Sequence, residues 1–491
     1  MKIDLLRRLT ENMESVIVMM DEKGDLDSVE YLPESVRQAI QLYLKQNEFK
    51  FEFNGIRSFP IVLPKHCSNV VLCGVGNVKE LNGAKLRTLF ANALRAVMKL
   101  DGKEVYLFPA FANPLGDVQF GHILAESALL AEYKFNKYQA DAKACSLEAV
   151  HLAMELKTTR HINRGILEGR IFADATNLAR DLVNEPANVV NPDTLAETAR
   201  KLALKYGFSI DIFGPDKLKR IKMDAFLAVA RGSAAEPRLI LMSYNGNPDS
   251  RGKIGLIGKG LTYDSGGYCL KTPQGMVNMK SDMAGAAAVL GTFVAISTLK
   301  LKVNVFGVIA ACENMVSGHA YHTGDVIRSM AGKTIEVNNT DAEGRLTLVD
   351  AIHYAISKEH VSKVIDIATL TGAAVGALGN QISMVMSNSD SFLNKAKHAS
   401  DFTGELIWQL PAHEEYLDLI KSDIADLKNS GGPLAGAITA GLFIREFVDK
   451  KPWLHIDIAG TALKDRESGI NAHGATGVGV RLLTQLLREM E

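Results

Sequence analysis

The sequence predicts an α/β protein of two domains: a small amino-terminal α/β domain over residues 1–158, and a larger carboxyl-terminal domain over residues 159–491 whose mixed sheet lies between helices. Three observations carry that expectation. Short apolar runs of strand length alternate with helical patterns along the chain. The alternation is interrupted near residues 155–170, and the stretch from 158 to 183 reads as one or two connecting helices. Beyond it, an apolar run breaks into glycines and an aspartate at its carboxyl end, where open α/β sheets present ligands.

In the first domain, residues 16–20, 70–75 and 105–108 are strand candidates, and 84–100 and 122–138 carry helical patterns. In the second, strands are expected near 210–213, 238–244, 254–257, 303–310, 364–368 and 454–458, with helices between them. The run from Lys253 to Gly267 places one lysine, Lys259, and one aspartate, Asp264, at the break where the apolar strand opens into a glycine-rich loop. Lys271 follows. Asp282 then precedes an alanine-rich apolar stretch, Met283 to Leu290, that should be a buried helix. There is no internal repeat or low-complexity segment.

Composition narrows the class without naming a function. A hydrophobic fraction of 47% with 23% charged residues marks an ordinary globular protein, and a formal net charge of −1 gives no reason to expect a dedicated polyanion binder. The 5 cysteines (Cys67, Cys73, Cys145, Cys269 and Cys312) are few, odd in number and scattered, which points to a reducing compartment without a disulfide framework. The amino terminus has no signal-peptide pattern, and no long uncharged run is expected to span a bilayer, so cytoplasmic residence is the expectation. Three motifs are decoys. Gly74-Val75-Gly76 lacks the third glycine of a dinucleotide fingerprint, Gly332-Lys333-Thr334 lacks the first glycine of a phosphate loop, and His413-Glu414-Glu415 has Leu417 where a zincin needs histidine.

The chemistry concentrates in Asn339-Thr340-Asp341-Ala342-Glu343-Gly344-Arg345-Leu346, which leads into an apolar-rich helix. In an extended approach, residues i and i+2 point to one side, so Asp341 and Glu343 should converge. Carboxylates about 4 Å apart repel by roughly 4 kcal/mol at an effective dielectric near 20. Such a pair shares a proton, pairs with bases or binds cations. As isolated residues, the two acids also suit a helix N-terminus, Asp282 suits an N-cap and Lys259 a surface position. Together, Asp264, Asp282, Asp341 and Glu343 bring four negative charges that two divalent cations would neutralise, the form of a two-metal hydrolytic site. Oxygen ligation suits Mn²⁺, Mg²⁺ or Zn²⁺. Lys259 could join such a shell only as the neutral amine, its pKa depressed by the cations.

The octapeptide resembles the leucyl aminopeptidase, or cytosol aminopeptidase, family. So do the run from Gly258 to Gly267, Met279-Lys280-Ser281-Asp282-Met283-Ala284-Gly285-Ala286, Asn184-Glu185-Pro186-Ala187-Asn188, Ala368-Thr369-Leu370-Thr371-Gly372-Ala373, the stretch from Ser422 to Asn429, and His455-Ile456-Asp457-Ile458-Ala459-Gly460. The resemblance implies that Asp264 and Glu343 bridge two metal ions, that Asp341 completes one site, and that Lys259 with Asp282 completes the other. It implies that Lys271 polarises the scissile carbonyl and that Arg345 holds a bicarbonate acting as base. Met279, Thr369, Gly372 and Ala459, with Ala462, become candidates for the pocket of the first substrate side chain. The implied activity removes amino-terminal residues, leucine or other apolar ones first, from peptides with a free amino terminus, using Mn²⁺ or Zn²⁺ in a homohexamer. Tyr263 and Ser281 depart from commoner variants of the pattern. The alternatives are a two-metal phosphohydrolase or nuclease, which Lys259 and the apolar flanks disfavour, and an added DNA-binding role of the first domain, for which no basic stripe is present.

Overall fold

The computed structural model describes residues 1–6, 12–29, 31–63, 66–141, 147–154 and 159–491. Cys145 and the expected boundary at 158 lie outside them, and the other four cysteines are free thiols. The chain forms two compact units, one of residues 1–174 with 465–473, the other of 175–464 with 474–491. The division falls inside the helix Thr159–Asn184. The short return segment belongs to the first unit because the Arg95 guanidinium engages the Glu467 carboxylate and the carbonyls of Gly469 and Asn471.

The first unit is built on a six-stranded sheet in the order Lys2–Leu5, Ala149–Leu152, Glu104–Ala110, Ser15–Asp21, Cys67–Gly76 and Ile56–Val62. All pairings are parallel except the last, which is antiparallel. A parallel sheet needs cover on both faces. Helices Gly83–Met98 and Asp117–Glu132 supply one apolar layer and Glu34–Gln46 supplies the other. The helix expected at 122–138 starts five residues earlier, after Gly116, and ends at Glu132. The glycines of the Gly74-Val75-Gly76 decoy admit the neighbouring chain. A Cβ on Gly74 would stand 2.1 Å from the Glu52 carbonyl oxygen, and one on Gly76 would stand 2.9 Å from the Phe53 nitrogen.

The second unit carries an eight-stranded mixed sheet, in the order Ile407–Gln409, Ser383–Ser387, Trp453–Asp457, Lys363–Ala368, Ile254–Asp264, Asn304–Asn314, Arg238–Asn245 and Ser209–Phe213. The four strands from Trp453–Asp457 to Asn304–Asn314 run parallel. They are nearly continuous hydrophobic runs, as strands covered on both faces must be. Helix Ala284–Leu299 lies on one face, where Gly258 approaches Gly285 and Ala286. Helix Gly344–Ser357 lies on the other and shares a core with Ile257, Leu261, Val308 and Val364. The segment Pro273–Leu299 is long and apolar enough to cross a membrane, but its most apolar window is 83% buried inside the protein, as expected of a core helix.

Candidate metal centre

Strand Ile254–Asp264 runs further than its apolar pattern suggests, and its last turns of pleat deliver two site residues. Lys259 is 2% exposed, not a surface lysine. Its Nζ lies 2.8 Å from Asp282 Oδ1 and 2.9 Å from Glu343 Oε1, and donates to the Thr369 carbonyl oxygen at 2.9 Å. Asp264 Oδ2 lies 2.9 Å from Lys271 Nζ, which also reaches Asp341 Oδ1 at 2.6 Å. One oxygen from each of Asp264, Asp341 and Glu343 falls within 4.8 Å of the others. All seven residues singled out for metal or polar chemistry, Lys259, Asp264, Lys271, Asp282, Asp341, Glu343 and Arg345, line one cleft.

Two local expectations are corrected. Asp341 and Glu343 do not converge through strand alternation, because residues 340–341 form a turn and Glu343 has helical backbone angles, φ −77° and ψ −36°, as the residue capping helix Gly344–Ser357. The turn brings their carboxylates together by curling the chain. Asp282 is not a helix N-cap either. It closes a short 3-10 turn, Met279–Ser281, and its Oδ1 accepts from Lys259 Nζ and from Thr369 Oγ1 at 2.7 Å.

The electrostatics are those of crowded negative charge. Burial followed by neighbouring carboxylates pushes the Glu343 pKa above the usual carboxylate range, and burial also raises Asp282 and Asp341. Burial works against the ammonium groups of Lys259 and Lys271, yet the carboxylates around them outweigh it and hold both pKa values above the ordinary lysine value. Asp282 Oδ2 and Glu343 Oε2 are buried without a hydrogen-bond partner. An unpaired buried carboxylate oxygen costs free energy that a cation would recover. The donor set of hard oxygens plus one amine therefore fits divalent metal ions.

Beside these groups, the cleft has a volume of about 600 Å³ and continues along Met279, Thr369, Leu370, Gly372, Ala373, Val375 and Ala459. Ala462 is buried and does not line it. Arg345, in the first turn of its helix, is buried, and burial lowers its pKa to about 10. Its Nη1 donates to the Asn429 carbonyl oxygen at 2.8 Å, while Nε is buried without a partner.

Sequence reasoning passed over Asn314. A register shift between Cys312 and Glu313 sets it opposite Asp264, where its Nδ2 donates to Asp264 Oδ1 at 2.8 Å and to the Thr340 carbonyl at 3.0 Å. A lone polar residue closing an apolar strand was the available signal.

Comparison with known proteins places this arrangement. The model of the cytosol aminopeptidase family's catalytic domain matches residues 177–484, and that of the family's N-terminal domain matches residues 17–142. The chain belongs to the cytosol aminopeptidase family. It is 44% identical over 483 residues to a probable cytosol aminopeptidase of Clostridium perfringens, covering 98% of this chain and 97% of that one. A probable cytosol aminopeptidase of Alkaliphilus metalliredigens is 41% identical over 485 residues, covering 97% and 96%. Among solved structures, the bottromycin maturation enzyme BotP in complex with Mn superposes with a TM-score of 0.86 at 30% identity, covering 98% of this chain and 100% of that one. Membership makes this cytosol aminopeptidase relative a peptidase of a metal-dependent family, acting on peptides.

Proposed function

We propose that the protein is a leucyl aminopeptidase that removes apolar amino-terminal residues from peptides using two divalent metal ions per chain, Mn²⁺ or Zn²⁺. The observation that carries this reading is the convergence of Asp264, Asp341 and Glu343 within 4.8 Å, beside the unpartnered oxygens of Asp282 and Glu343, at the head of an apolar cleft. Asp264 and Glu343 would bridge the ions, Asp341 would serve one of them, and Asp282 with Lys259 the other. When bound, such ions polarise a carbonyl and acidify water. Lys259 would ligate as the neutral amine, a reversal of its present protonation that a divalent charge among the same carboxylates favours.

The chain's own groups account for the rest of the chemistry. Lys271, flanked by Asp264 and Asp341, is a charged donor at the cleft, placed to hold the oxyanion of a tetrahedral intermediate. The Arg345 guanidinium would hold a bicarbonate as the base, which would leave every nearby carboxylate to the ions. Met279, Thr369, Gly372 and Ala459 surround the first side chain, and their lack of charge selects leucine and similar residues. A homohexamer, cytoplasmic residence and a functional division into residues 1–158 and 159–491 complete the reading.

Chelation followed by Mn²⁺ titration tests it. Activity on an unblocked leucyl peptide should vanish and return as two ions bind per chain, and Asp264→Asn should neither bind the pair nor recover. Full activity after exhaustive chelation, or in Asp264→Asn, would overturn it.

A further inference from the structure

The turn that carries Asp341 and Glu343 is held from within by Asn339, whose Oδ1 accepts from the Asp341 N–H at 2.9 Å. From outside it is gripped by Asn429, at the end of the short strand Leu427–Lys428, which pairs in parallel with Thr334–Glu336. Asn429 has no exposed surface. Its Oδ1 accepts from the backbone N–H of Asn338 at 3.0 Å and of Asn339 at 3.2 Å. Its Nδ2 donates to the carbonyl oxygens of Asn339 at 2.6 Å and Ala342 at 3.2 Å. Its backbone carbonyl receives Arg345 Nη1 at 2.8 Å, and its N–H donates to the Glu336 carbonyl at 3.0 Å. Asn429 touches none of the carboxylates, but it grips the chain on both sides of Asp341 and anchors the guanidinium that follows Glu343.

A carboxamide offers two acceptor positions and two donors, and all four are used. No other residue of this size does both. Aspartate only accepts, and serine lacks the reach to span Asn338 and Ala342. In a fully buried setting these bonds are stronger than in water, and leaving one unmade costs the full desolvation of its partner. Asn314 donates to both Asp264 and the Thr340 carbonyl of the same turn, so two asparagines that ligate nothing themselves help to position the carboxylate cluster.

We infer that Asn429 is a positioning residue for the reaction proposed above. It sets the distance and orientation between the Asp341 and Glu343 carboxylates and the Arg345 guanidinium, and it couples the metal-binding half of the site to its anion-binding half. The inference rests on the two-metal reading, and the experiment separates the two.

The test uses purified full-length protein and Mn²⁺ as the probe. In wild type, hydrogen exchange over the peptide spanning residues 338–345 should be slow. Asn429→Asp keeps the acceptors but sets an oxygen against two carbonyls, and Asn429→Ser removes the carboxamide without that repulsion. Both should speed exchange in this peptide, weaken Mn²⁺ binding by about 10- to 100-fold, and lower kcat at saturating Mn²⁺ with little change in KM. A lowered melting temperature with wild-type Mn²⁺ affinity and wild-type kcat would make Asn429 merely structural and overturn the inference. If both variants fail to fold, the wild-type peptide still decides, because fast exchange at residues 338–345 contradicts the clamp. Wild type that binds no Mn²⁺ would sink the two-metal reading, whatever the exchange shows.

Discussion

The side chain of Lys259 runs so close to the backbone of Gly344 that a Cβ there would stand 2.5 Å from Lys259 Cε and 2.7 Å from Nζ. Real Cβ atoms do not approach so closely, so a larger residue between Glu343 and Arg345 must displace the Lys259 side chain from its present path to Asp282 and Glu343. Gly344→Ala should therefore push the amine off its partners. The expected outcome is a folded protein, by circular dichroism, whose Mn²⁺ binding falls by about 10-fold or more. Unchanged metal content after desalting would contradict it.

Lys271 should separate binding from rate. Lys271→Ala removes the countercharge of Asp264 and Asp341 without removing an oxygen ligand, so metal content by elemental analysis should hold. Turnover should drop about 10²- to 10³-fold, as for loss of one oxyanion donor. Wild-type turnover would remove Lys271 from the mechanism.

Arg345 has an ordinary structural bond through Nη1 and an unused buried Nε. If it holds the base, Arg345→Ala should lower turnover while keeping its metal, and added bicarbonate should stimulate wild type more than the variant. Equal stimulation of both would assign the arginine a structural role.

Much of this site was legible because its residues are conspicuous by type. Charged residues at the ends of apolar runs, Lys259 and Asp264 above all, stand out against a buried strand, and the strands themselves follow from continuous apolar runs. What stayed hidden depends on tertiary contact. The turn at residues 340–341 looks, in sequence, like any approach to a helix. Asn314 and Asn429 carry no periodicity, and their roles appear only when distant segments meet. The return of residues 465–473 to the first unit rests on Arg95, far away in the chain.

A structural carboxylate gives a pH-dependent prediction away from the metals. Asp350 is fully buried in helix Gly344–Ser357, where it accepts from the N–H of Phe226 at 3.0 Å and of Met330 at 2.7 Å, and burial raises its pKa to about 7. The unfolded chain loses this proton near pH 3.9, so between that value and about 7 the folded state binds more protons. Its contribution to stability must then fall as pH rises through this window and stay level above it. Asp350→Asn should cost about 1–3 kcal/mol, since its amide turns an N–H toward a backbone donor, and the wild-type advantage in unfolding midpoint should shrink from pH 4 to 7. A constant difference would reject the assignment.

The measurement closest to the central claim is the hydrolysis rate of a leucyl peptide beside its acetylated twin, with Mn²⁺ present, across pH. A free α-amino group must be neutral to meet a metal ion, and its pKa is about 7.7–8.0. The account predicts cleavage of the free peptide only, one residue at a time from the amino end, at a rate that rises into the mildly alkaline range. Comparable cleavage of the acetylated peptide, or of internal bonds, would contradict it.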